Sequence, residues 1–275
     1  VRVLPVDRGS IRGAAGRHGD SRRSLRVRMP GLSWALFLAA AFAAEVVGTM
    51  AGFGAATVLT PIAILFMDAK TAIAVVAVFH LFGNGSRLWF FWRHIRWAAW
   101  AQFGLTGILL SAAGAAVTAR LSSPAIVLLF GLFLLAYVGV SALAPSRLQW
   151  PARPALLLGG GAASGFIAGL LGTGGAIRSA CLLAFGFPKE AYLGTSAAIA
   201  LVVDATRVPV YLAGGFLPAG LVPVLASLVA VAFAGAWTGQ RLVRRISAPV
   251  FRRIVLTLLA LMGLKLAADG WHGLA

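Results

Sequence analysis

AGFGAAT, residues 51–57, and LGTGGAIRS, residues 171–179, stand 120 residues apart in the same register. Each interrupts a long apolar run with closely spaced glycines, and each is followed by a fresh apolar stretch. Glycine permits backbone conformations other residues avoid, and it lets a second backbone approach closely. A helix that restarts after such a break presents unpaired N–H groups and the positive end of its dipole. In hydrocarbon, irregular backbone survives only where protein buries it or where it lines a wet cavity. Two such breaks therefore predict a broken helix in each half of the chain, with a binding centre between them. Gly52 and Gly54 mark the first break, and Gly172, Thr173, Gly174 and Gly175 the second.

The surrounding composition supports a membrane reading. Of the 275 residues, 60% are hydrophobic and only 11% charged, where a soluble domain carries roughly 25% charged residues. Apolar runs near the length needed to cross hydrocarbon, about 20 residues, recur along most of the chain. They fall at 32–51, 55–67, 71–92, 97–119 and 124–144, and again at 155–171, 175–187, 190–213, 216–240 and 248–269. The second member of each set, about 13 residues long, is too short to span and reads as a half-helix or re-entrant piece. The polar break PSRLQWPARP, Pro145–Pro154, separates the sets.

The same shift of 120 places Asn84 on Asp204, Arg87 on Arg207 and Thr118 on Thr238. One inserted residue later, Gly114, Arg120 and Leu121 meet Gly235, Arg241 and Leu242. The expected fold is an all-α polytopic membrane protein of two homologous repeats. Each repeat holds about four membrane helices, including a broken or short half-helix after its glycine break. The expected organisation is a basic tail at 1–30, a first repeat at 31–146, a linker at 147–154 and a second repeat at 155–275. Internal symmetry of this kind is characteristic of secondary transporters.

Net charge is +17, of which eight arginines and two aspartates in residues 1–28 supply +6 and the rest +11. That tail lacks hydrophobic periodicity and reads as disordered. Met29, just before the first apolar run, marks an alternative start. Lysine and arginine in short loops set orientation. The basic clusters are Arg93–Arg96, the linker with Arg147 and Arg153, and Arg241–Arg253. Placing all three inside requires an odd number of crossings per repeat, hence inverted halves. An even count would give parallel halves and put one cluster on the wrong side. Trp89, Trp92, Trp97 and Trp100 flank the first cluster as an interfacial belt. The loops at Asp68–Lys70 and Gly214–Pro218 then face out.

Arg87 and Arg207 lie inside apolar segments, where an arginine costs at least about 2.5–3.5 kcal/mol. Asn84 and Asp204 precede them by three positions, on the same helical face. Arg87 and Arg207 are expected to supply charge to a bound anion, with Asn84 and Asp204 beside them. Asp204 neutralises Arg207 when no ligand is present and competes with the anion for it. Arg87, with only a neutral Asn beside it, is expected to keep its charge for an anion. Arg178, which has Val58 at the matching position of the first half, is either a third anion contact or a partner for Glu45. Thr57, Thr60, Thr173, Ser179, Thr195 and Ser196 offer hydroxyls, although each alone more often bonds its own helix. Glu45 and His80 are embedded titratable groups that read either as a proton relay or, for His80, as a packed neutral histidine; a buried carboxylate such as Glu45 needs a proton or a partner. Scattered glycines such as Gly159, Gly160 and Gly161 read as helix packing. The chain lacks a P-loop, a Ser–His–Asp set and metal-ligand spacing, and its single cysteine, Cys181, excludes an intrachain disulfide. No cofactor, metal or nucleic acid is expected. The partners are a small anion and the bilayer, and nothing specifies an oligomeric state.

The two glycine breaks, the short segment after each and GTSAA, Gly194–Ala198, together resemble the TauE/SafE sulfite exporter family over residues 33–270. GTGGA at Gly172 and Pro61 fit that pattern. Ala55 and Ala56, Val75 and Val76 in place of a first GTS, and Cys181 opposite Pro61 depart from it. The resemblance implies export of a small sulfur-containing anion, sulfite or an organosulfonate, across the bacterial inner membrane. The residues alone point to a small anion and leave open a carboxylate, a membrane enzyme or an assembly subunit.

Overall fold

The computed structural model describes residues 31–143, 152–242 and 248–275. The basic tail and most of the central linker lie outside the described residues. Among the described residues the fold is wholly helical, because lipid offers no partner for open backbone groups. The helices are α1 Gly31–Ala51, α2 Ala56–Ile64, α3 Ala69–Phe91, α4 Trp97–Arg120 and α5 Ser123–Leu143, then α6 Pro154–Leu171, α7 Gly175–Leu183, α8 Lys189–Ala213, α9 Val222–Leu242 and α10 Ala248–His272. Eight are long and apolar enough to cross a membrane. The chain is a multi-pass membrane protein. Four long helices and one short one precede the central linker and the same number follow it, matching the five apolar runs read in each half of the sequence.

α2 and α7 have nine residues each, about 13 Å at 1.5 Å per residue, less than half the ~30 Å of hydrocarbon. Local sequence explains the ends. Asp68 caps α3 by accepting from the Lys70 N–H at 3.0 Å. Pro154 opens α6, where a missing N–H has no cost. Gly172 closes α6 at φ +79°, and its N–H bonds Ala168 O at 2.9 Å.

Small residues fix how the long helices meet. α4 and α6 run parallel, with Phe103, Gly107 and Ser111 meeting Gly161, Gly165 and Gly169 in order. A Cβ on Gly161, Gly165 or Gly169 would strike the backbone of α4. α1 and α9 also run parallel, with Glu45 against Gly235 and Thr49 against Gly239. α5 and α10 are antiparallel, with Gly131 against Ala267 and Gly270 against Leu128. α3 packs on α8 between these pairs. Packing thus accounts for Gly160, which rests on Cys181 and Phe103, and for Gly161, whereas Gly159 faces open space.

The contacts also order the helix ends into two faces. Phe37 near the start of α1 packs on Phe66 after α2, with ring centroids 5.7 Å apart and planes tilted by 55°. Gly54 packs on His80 at the middle of α3. So α1 runs in from one face, the chain turns at the break, and α2 returns to that same face. Lys70 Nζ donates to Ala119 O at 3.1 Å, and Gly273 packs on Pro124. The turns at 65–68, 120–123 and 214–221 and the last residues therefore share this face. On the opposite face, the Arg96 N–H donates to Thr195 Oγ1 at 2.9 Å, and Gly194 packs on the Phe91 carbonyl. The 91–97 turn, the start of α6, the 184–188 turn and the end of α9 gather here, with Arg93, Arg96, Arg153 and Arg241. Trp89, Trp92 and Trp97 are exposed beside them, as an interfacial belt requires.

Candidate functional site

The motif residues at 84, 87, 204 and 207 converge at the α3–α8 contact. Asn84 Nδ2 donates to Asp204 Oδ2 at 3.1 Å, so two residues 120 positions apart in sequence touch. Asp204 Oδ1 accepts from Arg207 Nε at 2.9 Å and Nη2 at 2.8 Å. Arg207 Nη1 donates to Ala168 O at 2.7 Å, and Tyr211 OH donates to Gly169 O. His80 Nδ1 lies 2.8 Å from Asp204 Oδ2. Asn84 Nδ2 lies 3.0 Å from the same nitrogen, so His80 Nδ1 either donates to the carboxylate or accepts from the amide, according to its tautomer. Asn84 Oδ1 accepts from Arg87 Nη1 at 2.9 Å.

Arg87 is not left with Asn84 alone, as the sequence suggested. Its Nη2 donates to Glu45 Oε1, which α1 brings in from 42 residues away. Sequence spacing showed the local neighbour and could not show the distant one. The result is a continuous buried chain, Glu45–Arg87–Asn84–Asp204–Arg207, with His80 on its flank. Glu45 Oε2 and Arg87 Nε are buried without a hydrogen-bond partner.

The two glycine breaks cross beside this chain. Gly175 lies against the Phe53 carbonyl so closely that a Cβ would not fit. The hydroxyls of Thr57 and Thr173 are 2.7 Å apart, and Gly174 O accepts from Ser164 Oγ at 2.8 Å. Gly52 and Gly54 have φ of +77° and +86°, a region that favours glycine. The Gly52 carbonyl faces three hydroxyls: Tyr192 at 3.1 Å, Ser179 at 3.4 Å and Ser196 at 3.4 Å. Tyr192 OH is also 2.8 Å from Ser179 Oγ. With Tyr192 donating to Ser179 Oγ, the Ser179 and Ser196 hydroxyls can fill the two lone pairs of the Gly52 carbonyl, so three hydroxyl donors gather on one backbone oxygen.

Arg178 completes the cluster. It is 3% exposed, and its Nε donates to Ser196 Oγ at 3.0 Å. Among the described residues, no carboxylate lies within ion-pair distance of it, and neither Nη has a hydrogen-bond partner. Glu45 is committed to Arg87 and Asp204 to Arg207, so Arg178 is not Glu45's partner. Three buried arginines face two buried carboxylates, leaving one positive charge beside the hydroxyls of Ser179, Tyr192 and Ser196. That arrangement suits a small oxyanion, which offers only acceptors.

Other expected residues fall elsewhere. Thr195 turns away to the Arg96 N–H while its neighbour Ser196 turns inward. Thr60 is buried with no partner. Gly172 packs on Ile73, with Arg207 Nη1 just beyond. Sequence reasoning missed Tyr192, Ser164 and Tyr211. Tyr192 precedes GTSAA by two positions and is four before Ser196, a helical spacing that marks it in retrospect.

A cavity of about 310 Å³ opens at the arginine-bearing face, lined by Thr49, Met50, Gly52, Leu183, Lys189 and Tyr192, among others.

Eight long apolar helices around a buried polar centre define a multi-pass membrane protein. The family model Sulfite exporter TauE/SafE matches residues 36–266, and the chain belongs to that family of membrane exporters. No curated protein and no solved structure matches the chain.

Proposed function

We propose that this protein is a secondary transporter exporting a small sulfur oxyanion, sulfite or an organosulfonate, across a bacterial inner membrane. The observation that carries the reading is Arg178, a buried guanidinium with no carboxylate. The anion lies on its Nη groups and takes hydroxyl donors from Ser179, Ser196 and Tyr192. The crossed breaks at Gly52–Gly54 and Gly172–Gly175 bring those donors together. The chain Glu45–Arg87–Asn84–Asp204–Arg207 joins the two halves and holds the centre in place. Glu45 and His80 supply proton coupling, supported by the unpartnered Glu45 Oε2 and the His80–Asp204 contact.

The halves are inverted in this reading. Each makes a hairpin of its first two helices and then three crossings, an odd number. The helix ends support the inversion: α1 starts on the face of the 65–68 turn, whereas α6, parallel to α4, starts on the face of the 91–97 turn. The arginine-bearing face is cytoplasmic by the positive-inside preference.

The test is uptake of radiolabelled sulfite into inside-out vesicles. Protein-dependent accumulation, inhibited by other sulfur oxyanions and lost in Arg178→Gln, is expected. Equal uptake by protein-free vesicles would overturn the sulfite assignment. A folded Arg178→Gln variant that transports normally would overturn the site.

A further inference from the structure

The cavity on the arginine-bearing face and the buried Arg178 cluster are separated by one side chain. Tyr192 lines the cavity, is only 7% exposed, and hydrogen-bonds Gly52 O and Ser179 Oγ with its hydroxyl. Its ring seats directly on Gly52, where any Cβ would strike it. Thus the ring faces the cavity while the phenol oxygen reaches the residues around Arg178. Lys189, at the cavity mouth, is exposed. On α8, Lys189, Tyr192 and Ser196 follow at spacings of three and four, so they form one line down a single helix face. Ser196 is the residue that receives Arg178 Nε. The line therefore runs from a free cation at the surface, through a phenol, to a buried cation.

We infer that Tyr192 is the gate through which the anion enters, and that the site loads from the arginine-bearing face. This rests on the reading that Arg178 holds the anion. Lys189 gathers anions into the cavity. An arriving oxyanion gives the Tyr192 hydroxyl a stronger acceptor than the Gly52 carbonyl, because hydrogen bonds to an ionised acceptor are shorter and stronger. The phenol leaves Gly52, the ring tips off its seat, and the anion passes to Arg178. A neutral solute cannot draw the hydroxyl away in this manner, so the gate also selects for charge. Gly52 is required twice, for its positive φ and for the flat seat that the ring needs.

Thiol labelling reads this path without any sulfur anion in the assay. In a Cys181→Ala background, Leu193→Cys places a thiol in the cavity wall and Ser196→Cys places one behind Tyr192. The probe is a membrane-impermeant, negatively charged methanethiosulfonate, applied to inside-out and right-side-out vesicles. Leu193→Cys is expected to react in inside-out vesicles only. Ser196→Cys is expected to react slowly, and about tenfold or more faster when Tyr192→Ala removes the phenol with its two hydrogen bonds. The acceleration should appear from the same side only. Tyr192→Phe, which keeps the ring and loses the hydroxyl, should fall between. Ser179→Cys serves in place of Ser196→Cys if the latter does not fold. Labelling of Leu193→Cys only in right-side-out vesicles would overturn the loading direction. A labelling rate behind the gate that ignores Tyr192→Ala would overturn the gate. Neither result depends on sulfite, so failure of the substrate assignment is seen separately in the uptake assay.

Discussion

Arg178→Gln separates a binding arginine from a structural one, because the two roles predict opposite effects on stability. In the anion-free protein the Arg178 Nη groups have no partner among the described residues. An arginine held in a membrane interior costs at least about 2.5–3.5 kcal/mol on insertion scales. Removing it relieves part of that cost, so the unfolding midpoint should stay or rise. Binding should move the other way. Two charge-assisted hydrogen bonds, at about 1.5–3 kcal/mol each, correspond to about 10²–10⁴ in affinity at 1.4 kcal/mol per decade. The lower end is expected, since Ser179, Ser196 and Tyr192 keep their hydroxyls. The assay is sulfite titration calorimetry on protein in nanodiscs, paired with thermal unfolding of the same sample. Affinity within about threefold of wild type would refute the site. A loss of several kcal/mol in stability would show that Arg178 has a structural partner, and the charge count behind the argument would fail.

Three further outcomes follow from the same geometry. Arg87→Gln should destabilise by about 3–5 kcal/mol, because it strands Glu45 without its cation; the double variant Glu45→Gln/Arg87→Gln should recover most of that loss in thermal unfolding. Gly175→Ala should cost about 1–3 kcal/mol or more by driving a methyl into the Phe53 carbonyl. Gly159→Ala, where nothing lies within 4 Å, should instead gain about 0.5–1 kcal/mol of helix preference. Of two adjacent hydroxyls, Ser196→Ala should weaken anion binding about tenfold. Thr195→Val should leave affinity unchanged and loosen the 91–97 turn, read as faster amide hydrogen exchange at Arg96.

Much of this molecule was written in the order of its residues. Lipid forces backbone groups to bond within their own segment, so apolar length and glycine breaks were enough to place α1 to α10. Among the described residues Arg93, Arg96, Arg153 and Arg241 lie toward one face. The motif residues Asn84, Arg87, Asp204 and Arg207 were legible as a buried polar centre because charge in an apolar run is costly wherever it falls. Partnership was not legible. Whether an arginine is free depends on which carboxylate reaches it through space, and helical spacing reports only neighbours three or four positions away. Glu45 reaches Arg87 from another helix, and that one contact shifts the unpaired charge from Arg87 to Arg178. Tyr192 looked like any aromatic in an apolar helix until folding set its hydroxyl on the Gly52 carbonyl. Sequence determined that a cation would be buried here; only the packing of α1, α3, α7 and α8 decided which cation was left for a ligand.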